Sequence, residues 1–271
     1  MSFSHPFNLF QHFIFCALDL SRSTGAQRKG ERLPPLLRRI DSVAKDAPPV
    51  VEVIFVDGGS TDGTIEEIER QSGRHLFSVR TVMQRARLGL VHAELLGGAR
   101  EARGGEYVTI LDGDLQHPPE YIVDMSRYLG AYDVIVASRY VKGGGARRDP
   151  VRGGIISRTA VLICHTILPV SKRIRDPISG FFTARREMFA GIDFMPGSYE
   201  TLLYVLAYNP LCTVKEVPYT FVERERGGSS KIVGRGGLSF VKNYMGGQNL
   251  FLRKASRRIA TAVRQPDIAL K

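Results

Sequence analysis

Apolar runs alternate with amphipathic segments along most of this chain. Short runs rich in apolar and β-branched residues predict strands near residues 12–18, 51–57, 77–83, 106–111, 133–138 and 212–221. Apolar residues at helical spacing predict helices near residues 33–46, 63–72, 89–103, 119–129, 186–192 and 198–208. Strands that alternate with helices favour an α/β fold, with a mostly parallel sheet and helices on both of its faces.

Acidic side chains follow two of the predicted strands. Asp112 and Asp114 come directly after the fourth strand, and Asp57 comes at the end of the second. In α/β sheets of this kind, ligands bind at the carboxyl ends of the strands. Carboxylates two residues apart in extended chain face the same side, and such hard oxygen ligands suit Mg²⁺ or Mn²⁺. The two strand ends therefore predict a site for a divalent cation and an anionic ligand.

An ordinary turn is the competing interpretation of both acidic loops. After Asp57, the side chains of Ser60, Thr61 or Asp62 can cap the helix that begins near residue 65. This interpretation accounts for the glycines and hydroxyl groups of the loop. It does not account for an aspartate at the carboxyl end of each strand.

Six segments in one order resemble family 2 glycosyltransferases and, within that family, the dolichyl- or polyprenyl-phosphate mannosyltransferases. They extend over roughly two thirds of the chain, and each is similar to a motif of the family. The segments are DGGSTDGT at 57–64, RARLGL at 85–90, LDGDLQHPPE at 111–120, VIVASRYVKGG at 134–144, DPISGFFTARR at 176–186 and FVERERGGSSK at 221–231. The resemblance implies a GT-A-like fold, that of the nucleotide-diphospho-sugar transferases. We expect that domain over residues 1–235 and a basic amphipathic tail over residues 236–271.

Two departures from the family pattern fall on the side expected to hold the nucleotide base. Family members open with a strand that ends in P-T-Y-N-E, whereas residues 12–32 contain no such sequence. Gly58 stands where the family has a second carboxylate. The segment expected to bind the metal, which contains Asp112 and Asp114, matches the family motif.

The resemblance implies a metal-dependent glycosyltransferase that inverts the anomeric centre. The expected reaction moves a hexose, mannose from GDP-mannose, to dolichyl or polyprenyl phosphate. Because the segment expected to bind the base differs from the family motif, a second interpretation stays open: a UDP-glucose-dependent polyprenyl-phosphate glucosyltransferase. A non-catalytic relative that binds lipid or a partner also stays open, since the altered opening segment favours it and the intact D-x-D-x-Q disfavours it.

Matching the family motifs residue by residue implies three groups of ligands. Mg²⁺ or Mn²⁺ is expected on two carboxylates and one amide oxygen, the donor on a carboxylate and several cationic groups, and the acceptor phosphate on two arginines and a serine. The catalytic residues are expected to be Asp112, Asp114 and Arg139. The metal ligands are Asp112, Asp114 and Gln116; the donor ligands are Asp57, Arg85, Asp112, Arg224, Arg226 and Lys231; the acceptor-phosphate ligands are Arg139, Arg152 and Ser157.

His117 directly follows the acidic loop and allows two interpretations. It could bind the metal or act as a base. However, Mg²⁺ prefers oxygen ligands, and a phosphate dianion needs no strong base because its second pKa is about 6. A role in supporting the loop is therefore favoured.

Positive charge is concentrated in two regions of the chain. The formal net charge is +11, and residues 139–186 and 224–271 each contain eleven Lys or Arg and two acidic residues. Such regions predict an anionic partner. The absence of zinc-finger spacing and of aromatic–basic interleaving disfavours nucleic acid, so an anionic membrane surface is the expected partner.

The remaining composition is consistent with a peripheral protein on the cytosolic face of a membrane. Three scattered cysteines indicate a reducing compartment. The apolar runs are too short to span a bilayer, and no Lys or Arg precedes the first of them. We therefore expect neither a spanning segment nor a secretory signal. The resemblance leaves room for a membrane-anchoring subunit. Amphipathic segments near 155–170 and 238–263 fit a membrane interface or core packing equally, and glycines at 143–145 and 234–237 predict mobile loops.

Overall fold

The computed structural model describes residues 13–17, 33–46, 50–57, 60–83, 105–147, 150–167, 169–192 and 201–222. Nine strands and five α-helices lie within these residues, together with two short 3₁₀ helices at Pro169–Arg173 and Arg186–Phe189. The strands are β1 (Phe13–Ala17), β2 (Val50–Asp57), β3 (Ser78–Met83), β4 (Tyr107–Leu111), β5 (Val134–Ser138), β6 (Gly145–Arg147), β7 (Phe182–Arg185), β8 (Val214–Pro218) and β9 (Thr220–Val222). The helices are α1 (Leu33–Asp46), α2 (Thr64–Gln71), α3 (Tyr121–Ser126), α4 (Pro150–Ile167) and α5 (Thr201–Tyr208).

A mostly parallel sheet is the centre of the described fold, as the sequence predicts. Within the described residues, seven strands follow the order β3-β2-β1-β4-β7-β5-β8, and β6 pairs with β9 in a separate two-stranded sheet. Strands β1 to β4 are parallel to one another, and β5 is parallel to β8. Strand β7 runs antiparallel between β4 and β5. No strand was predicted at β7, whose four residues include Thr183, a polar residue that shares a buried hydrogen bond of 2.8 Å with Thr109.

Alternate residues of the sheet strands contribute to two separate apolar cores. Phe55 and Leu111 face a core that also contains the apolar residues of α1, Ile68 of α2 and Ile122 of α3. Ile54 and Ile110, one position away in each strand, face a core built with α5. Because successive side chains of a strand point to opposite faces, this division confirms helices on both faces of the sheet.

The predicted helices that fall within the described residues are confirmed in position, and most of them differ at their ends. The bounds of α1 are those predicted, and α2 is one residue shorter at each end. Helix α3 is shorter than the predicted 119–129, and the helix predicted over 186–192 is a 3₁₀ helix of four residues. The amphipathic segment predicted to start near residue 155 is a helix that already begins at Pro150, a residue well suited to a first helical position. The predictions for 89–103, 234–237 and 238–263, and the division at residue 235, lie outside the described residues.

The last predicted strand and the first glycine-rich loop differ from expectation, and for a common reason. The strand predicted over 212–221 divides at Tyr219 into β8, in the main sheet, and β9. Strand β9 pairs with Gly145–Arg147, so the expectation of a mobile loop over 143–145 is wrong for Gly145. Gly144 is required next to it, because a Cβ there would lie 2.4 Å from the carbonyl oxygen of Ser138.

None of the helices among the described residues is both long and apolar enough to cross a bilayer.

Candidate active site

Two acidic strand ends meet at one edge of the sheet. Strand β1 lies between β2 and β4, and its Ala17 is in register with Phe55 on one side and Leu111 on the other. Asp57 therefore lies two residues beyond this level, and Asp112 one residue beyond it. Since neighbouring strands are about 4.8 Å apart, the two aspartates lie on strands about 10 Å apart, at the edge where the sequence places a ligand.

Asp57 is a fully buried carboxylate at the end of β2. One of its oxygens accepts a hydrogen bond from the backbone N–H of Ser60 at 2.7 Å, and the other accepts from the Ser60 hydroxyl at 2.5 Å. Asp57 thus fixes the turn that leads to α2. The predicted side-chain cap is wrong, since the N-cap of α2 is Gly63, in a left-handed conformation, and Asp62 instead accepts from the hydroxyl of Thr64.

The acidic loop after β4 is held in one conformation from three sides. Oδ1 of Asp114 accepts a hydrogen bond from the N–H of Gln116 at 3.0 Å. Between them, Leu115 has a φ of 66°, a left-handed backbone that a leucine rarely adopts, while its partly buried side chain packs against the core. The carbonyl of Gln116 accepts from the N–H of Val222, which joins the loop to β9. The three predicted metal ligands therefore share one short, fixed turn.

His117 lies behind this loop in a pocket of aromatic rings. Its side chain is 4% exposed, and Nε2 lies 3.2 Å from Oδ2 of Asp112, whose side chain is 36% exposed. The imidazole stacks on Tyr219 with 5.8 Å between centroids, and the edges of Phe181 and Phe221 complete the enclosure. Among the described residues, Nδ1 of His117 has no hydrogen-bond partner.

Arg139 follows β5 and is bound by Asp176, a buried residue whose role sequence reasoning missed. Nε and Nη2 of the guanidinium donate to the two carboxylate oxygens at 2.8 and 2.7 Å, and the backbone N–H of Arg139 donates to Oδ2 at 2.9 Å. Burial opposes the charged form, yet the hydrogen bonds and charge of Asp176 prevail and raise the pKa of Arg139 above its ordinary value. The backbone N–H groups of Arg175 and Asp176 donate in turn to Glu216. The D-x-x-S-G-F segment was the available signal, but no local pattern shows which arginine it contacts.

Tyr219 is a second residue that sequence reasoning missed, and it connects the two halves of the site. Its ring is buried against His117, and its backbone is hydrogen-bonded to Ser138 and Gly145. Burial raises the pKa of its hydroxyl; the nearby charge of Arg139 lowers it, and those of Asp176 and Asp112 raise it. The phenol is therefore a neutral group between the acidic loop and the Arg139–Asp176 pair.

Several predicted ligands are not placed by the structure. Arg152 and Ser157 belong to α4, but only the backbone is described in that part of the helix. Strand β9, which is hydrogen-bonded to the acidic loop, leads toward the remaining cationic ligands in the sequence. Gly58, Arg85, Arg224, Arg226 and Lys231 lie outside the described residues.

The oxygen donors of the acidic loop fit a divalent cation that shares its coordination with a substrate. The described residues contain no group of three or more His, Cys, Asp or Glu arranged around one point. A closed protein cage is therefore not formed by them. Mg²⁺ is commonly held by one or two carboxylates together with substrate phosphates, and Asp112 and Asp114 provide that number.

The fold and the acidic strand end together define a glycosyltransferase of the GT-A class. A solved structure with the same fold is glucosyl-3-phosphoglycerate synthase from Mycobacterium tuberculosis in complex with Mn²⁺, UDP-glucose and phosphoglyceric acid. It is 18% identical, has a TM-score of 0.57, and the match covers 89% of this chain and 80% of that one. The sequence profile of Glycosyl transferase family 2 matches residues 30–193, so the chain belongs to that family.

Two curated relatives are similar in sequence to most of this chain. Dolichol-phosphate mannosyltransferase of Pyrococcus furiosus is 33% identical over 214 residues, which are 79% of this chain and 59% of the relative. Dolichol-phosphate mannosyltransferase of Saccharomyces cerevisiae is 30% identical over 229 residues, which are 81% of this chain and 83% of the relative. The chain thus spans under two thirds of the archaeal relative and most of the yeast one. The resemblance seen in the motifs is confirmed.

Proposed function

We propose that this protein transfers mannose from GDP-mannose to dolichyl or polyprenyl phosphate and inverts the anomeric centre. The observation that carries the proposal is the fixed acidic loop at the carboxyl end of β4. The names of the archaeal and yeast relatives supply the substrate class. The loop supplies the chemistry, because it concentrates oxygen donors where a nucleotide diphosphate would bind.

The proposed role of the acidic loop is to help the diphosphate leave the sugar. Asp112, Asp114 and Gln116 would hold Mg²⁺ or Mn²⁺, which would supply positive charge to the leaving group. The backbone N–H of Gln116 donates to Oδ1 of Asp114 and fixes that carboxylate relative to the turn. Asp57, Arg85, Arg224, Arg226 and Lys231 are the proposed donor ligands around them. Among solved neighbours of this fold, the M. tuberculosis synthase was crystallised with Mn²⁺ and UDP-glucose.

Arg139 is the proposed anchor for the acceptor phosphate. Two of its guanidinium nitrogens donate to Asp176, and among the described residues Nη1 has no hydrogen-bond partner. The guanidinium is therefore fixed in direction with one nitrogen left to donate. Because Arg139 and Asp176 together carry no net charge, a dianionic phosphate needs a further cation. Arg152, with Ser157, is the proposed source on α4.

Metal-dependent donor binding is the experiment that tests this function. Isothermal titration with GDP, with and without Mn²⁺, should show binding that requires the metal. Asp114→Asn keeps the shape of the side chain and removes its charge, so turnover should fall about 100-fold or more. Asp124→Asn removes the same charge from an exposed residue of α3 and should leave turnover unchanged. Full activity in Asp114→Asn, with metal still required, would show that this carboxylate is not a ligand.

The divergent opening segment favours a second candidate, a UDP-glucose-dependent transferase acting on the same class of lipid. Residues 12–32 lack the family motif that helps to hold the base. Titration with GDP and UDP in parallel separates the candidates, since the preferred base identifies the donor. Binding of neither nucleotide would instead support a non-catalytic relative that binds lipid or a partner subunit.

An anionic membrane surface on the cytosolic side is the proposed location of the reaction. Among the residues described in the first basic region, Arg158, Lys172 and Arg175 are exposed. Binding to vesicles with anionic lipid should exceed binding to neutral vesicles and should weaken as salt shortens the Debye length. Equal binding to both kinds of vesicle at low salt would contradict the electrostatic contribution.

A further inference from the structure

His117 combines deep burial with incomplete hydrogen bonding. Its side chain is 4% exposed, and Nδ1 has no partner among the described residues. A buried polar atom without a partner costs about 1–3 kcal/mol. An apolar residue of similar size would fill the same pocket without that cost. The pocket alone therefore does not explain why an imidazole occupies it.

The other ring nitrogen explains the choice of residue. Nε2 lies 3.2 Å from Oδ2 of Asp112, at the long end of the range for N–H···O hydrogen bonds. A carboxylate can only accept, so a hydrogen bond between these two atoms places the proton on Nε2. Such contacts are often long in ligand-free enzymes and shorten when the substrate binds.

The orientation of the imidazole is fixed by the groups around it. Tyr219 stacks on one face at an interplanar angle of 21°, and the edges of Phe181 and Phe221 contact the ring at centroid distances of 5.6 and 5.4 Å. A Cβ added to Gly180 would lie 3.6 Å from Cε1 of the ring. A ring held in this way directs Nε2 toward Asp112 and cannot readily turn away.

We propose that His117 is a positioning residue that donates from Nε2 to Oδ2 of Asp112 and fixes the rotation of this carboxylate. Fixing this rotation would set the direction in which Asp112 offers oxygen lone pairs to a divalent cation, which in turn would hold the donor diphosphate. This inference rests on the proposed function, because it assigns Asp112 to that site. It gives His117 no part in binding the metal or in moving a proton during the reaction.

Three substitutions separate positioning from simple filling of the pocket. His117→Gln keeps an N–H donor near the position of Nε2, whereas His117→Asn places its amide near the position of Nδ1, too short to reach Asp112. His117→Phe keeps the ring and removes both nitrogens. Affinity for Mn²⁺ in the presence of GDP is read from the electron paramagnetic resonance signal of free Mn²⁺. It requires no turnover, and kcat and KM for the donor are measured alongside it.

The expected pattern is rescue by glutamine alone. Loss of a residue that orients a metal ligand typically weakens metal binding about 10- to 100-fold. We expect this loss in His117→Phe and His117→Asn, with a raised donor KM, and we expect His117→Gln to stay within about 3-fold of the original affinity. If His117→Phe fails to fold, the comparison of Gln with Asn decides the matter.

Two further outcomes distinguish this inference from the function on which it rests. Metal-dependent GDP binding by the unmodified protein, with equal Mn²⁺ affinity in the Gln and Asn variants, would overturn the positioning role alone. Absence of metal-dependent GDP binding by the unmodified protein would overturn the proposed function, and the inference with it.

Discussion

Asp176 binds Arg139 through three hydrogen bonds, two to the guanidinium and one to the backbone N–H. The carboxylate is fully buried, and the Arg139 side chain is 12% exposed. The pair therefore fixes both the direction of the guanidinium and the path of the chain as it leaves β5. Glu216 in turn accepts from the backbone N–H of Asp176, so the pair is held from a second strand. An arginine constrained in this way can present a donor to a phosphate with little loss of side-chain entropy.

Substitution of Asp176 by Asn should damage stability and acceptor use together. The change leaves the buried guanidinium without its counter-charge, which typically costs about 3–5 kcal/mol. Urea unfolding at pH 7 measures the loss. In the variant that remains folded at low temperature, KM for the lipid phosphate should rise more than KM for the donor.

Asp124→Asn is the matched control for the loss of one carboxylate. It breaks an exposed pair between Asp124 of α3 and Arg127, the residue after the helix, at 3.3 Å. The change in stability should be less than about 0.5 kcal/mol. A comparable loss in both variants would contradict a special role for the Asp176–Arg139 pair.

The sheet and the position of the acidic loops could be predicted from sequence because both depend on local patterns. The described side chains of the runs 50–57 and 107–111 are mostly apolar. The first run ends at Asp57, and Asp112 directly follows the second. Parallel pairing then places Asp57 and Asp112 at one edge. The family motifs had already indicated the chemistry of that edge.

The remaining parts of the site depend on contacts that no local pattern encodes. Arg139 and Asp176 are 37 residues apart, and strand β7, inserted between β4 and β5, brings their segments together. Tyr219 lies inside a predicted strand, but its role follows from the break between β8 and β9. These contacts depend on tertiary structure, so periodicity alone does not predict them.

Net charge also gave an incomplete view of the first basic region. Among the described residues of this region, Arg139 binds Asp176, Arg173 donates to the carbonyls of Pro210 and Cys212, and Arg185 contacts Glu106 and Asp133. A count of charges treats these cations as equivalent to the exposed ones. The charge available to an external anion is therefore smaller than the local sum indicates.

The ion pair of Arg39 with Glu120 should make a small, pH-dependent contribution to stability. Burial opposes ionisation of Glu120, but the hydrogen bonds and charge of Arg39 prevail and lower its pKa below the ordinary 4.5. Because the folded pKa lies below the unfolded one, the stabilisation is complete above the unfolded value and is lost as the pH falls through the folded value. Both side chains are more than a third exposed. Because water screens exposed charges, the coupling energy between them should be only about 0.5 kcal/mol.

A double-mutant cycle measures this coupling. Arg39→Met, Glu120→Gln and the double variant are unfolded in urea at pH 7 and at successively lower pH. The coupling energy should be present at pH 7, decrease in acid and weaken in high salt. A coupling that grew as the pH fell would contradict the lowered pKa of Glu120.

The left-handed backbone at Leu115 predicts an unusual order of stability for two variants. Leu115→Ala and Leu115→Gly both remove the side chain that packs against the core. At a φ of 66°, alanine retains a penalty of about 1–2 kcal/mol that glycine does not have. The glycine variant should therefore be more stable than the alanine variant by about 1 kcal/mol, since the greater freedom of unfolded glycine offsets part of the gain.

Val123 provides the matched control for Leu115. It lies in α3, packs against the same core and has a helical backbone. There the order should be reversed, with glycine less stable than alanine by about 1 kcal/mol. Urea unfolding of the four variants checks both orders, and the same order at both positions would contradict the left-handed conformation of Leu115.

Gly144 and Gly145 are adjacent glycines, and only the first should be sensitive to substitution by alanine. A Cβ at Gly144 would lie 2.4 Å from the carbonyl oxygen of Ser138 and 3.0 Å from the carbonyl carbon of Arg139. Both contacts are with backbone, so no side chain can move aside. Gly144→Ala must shift the chain around Arg139, and such overpacking typically costs about 1–3 kcal/mol. Since the shift moves Arg139 relative to Asp176, KM for the acceptor should rise as well.

Gly145→Ala is the control because a Cβ there meets nothing within 4 Å, although the residue lies in β6 and pairs with Thr220. Its stability should stay within about 0.5 kcal/mol of the original protein, and its KM for the lipid phosphate should be unchanged. Urea unfolding and initial rates at varied acceptor concentration test the two variants side by side. If Gly144→Ala were as stable and as active as Gly145→Ala, the turn after Arg139 could not be packed against Ser138 as the structure shows.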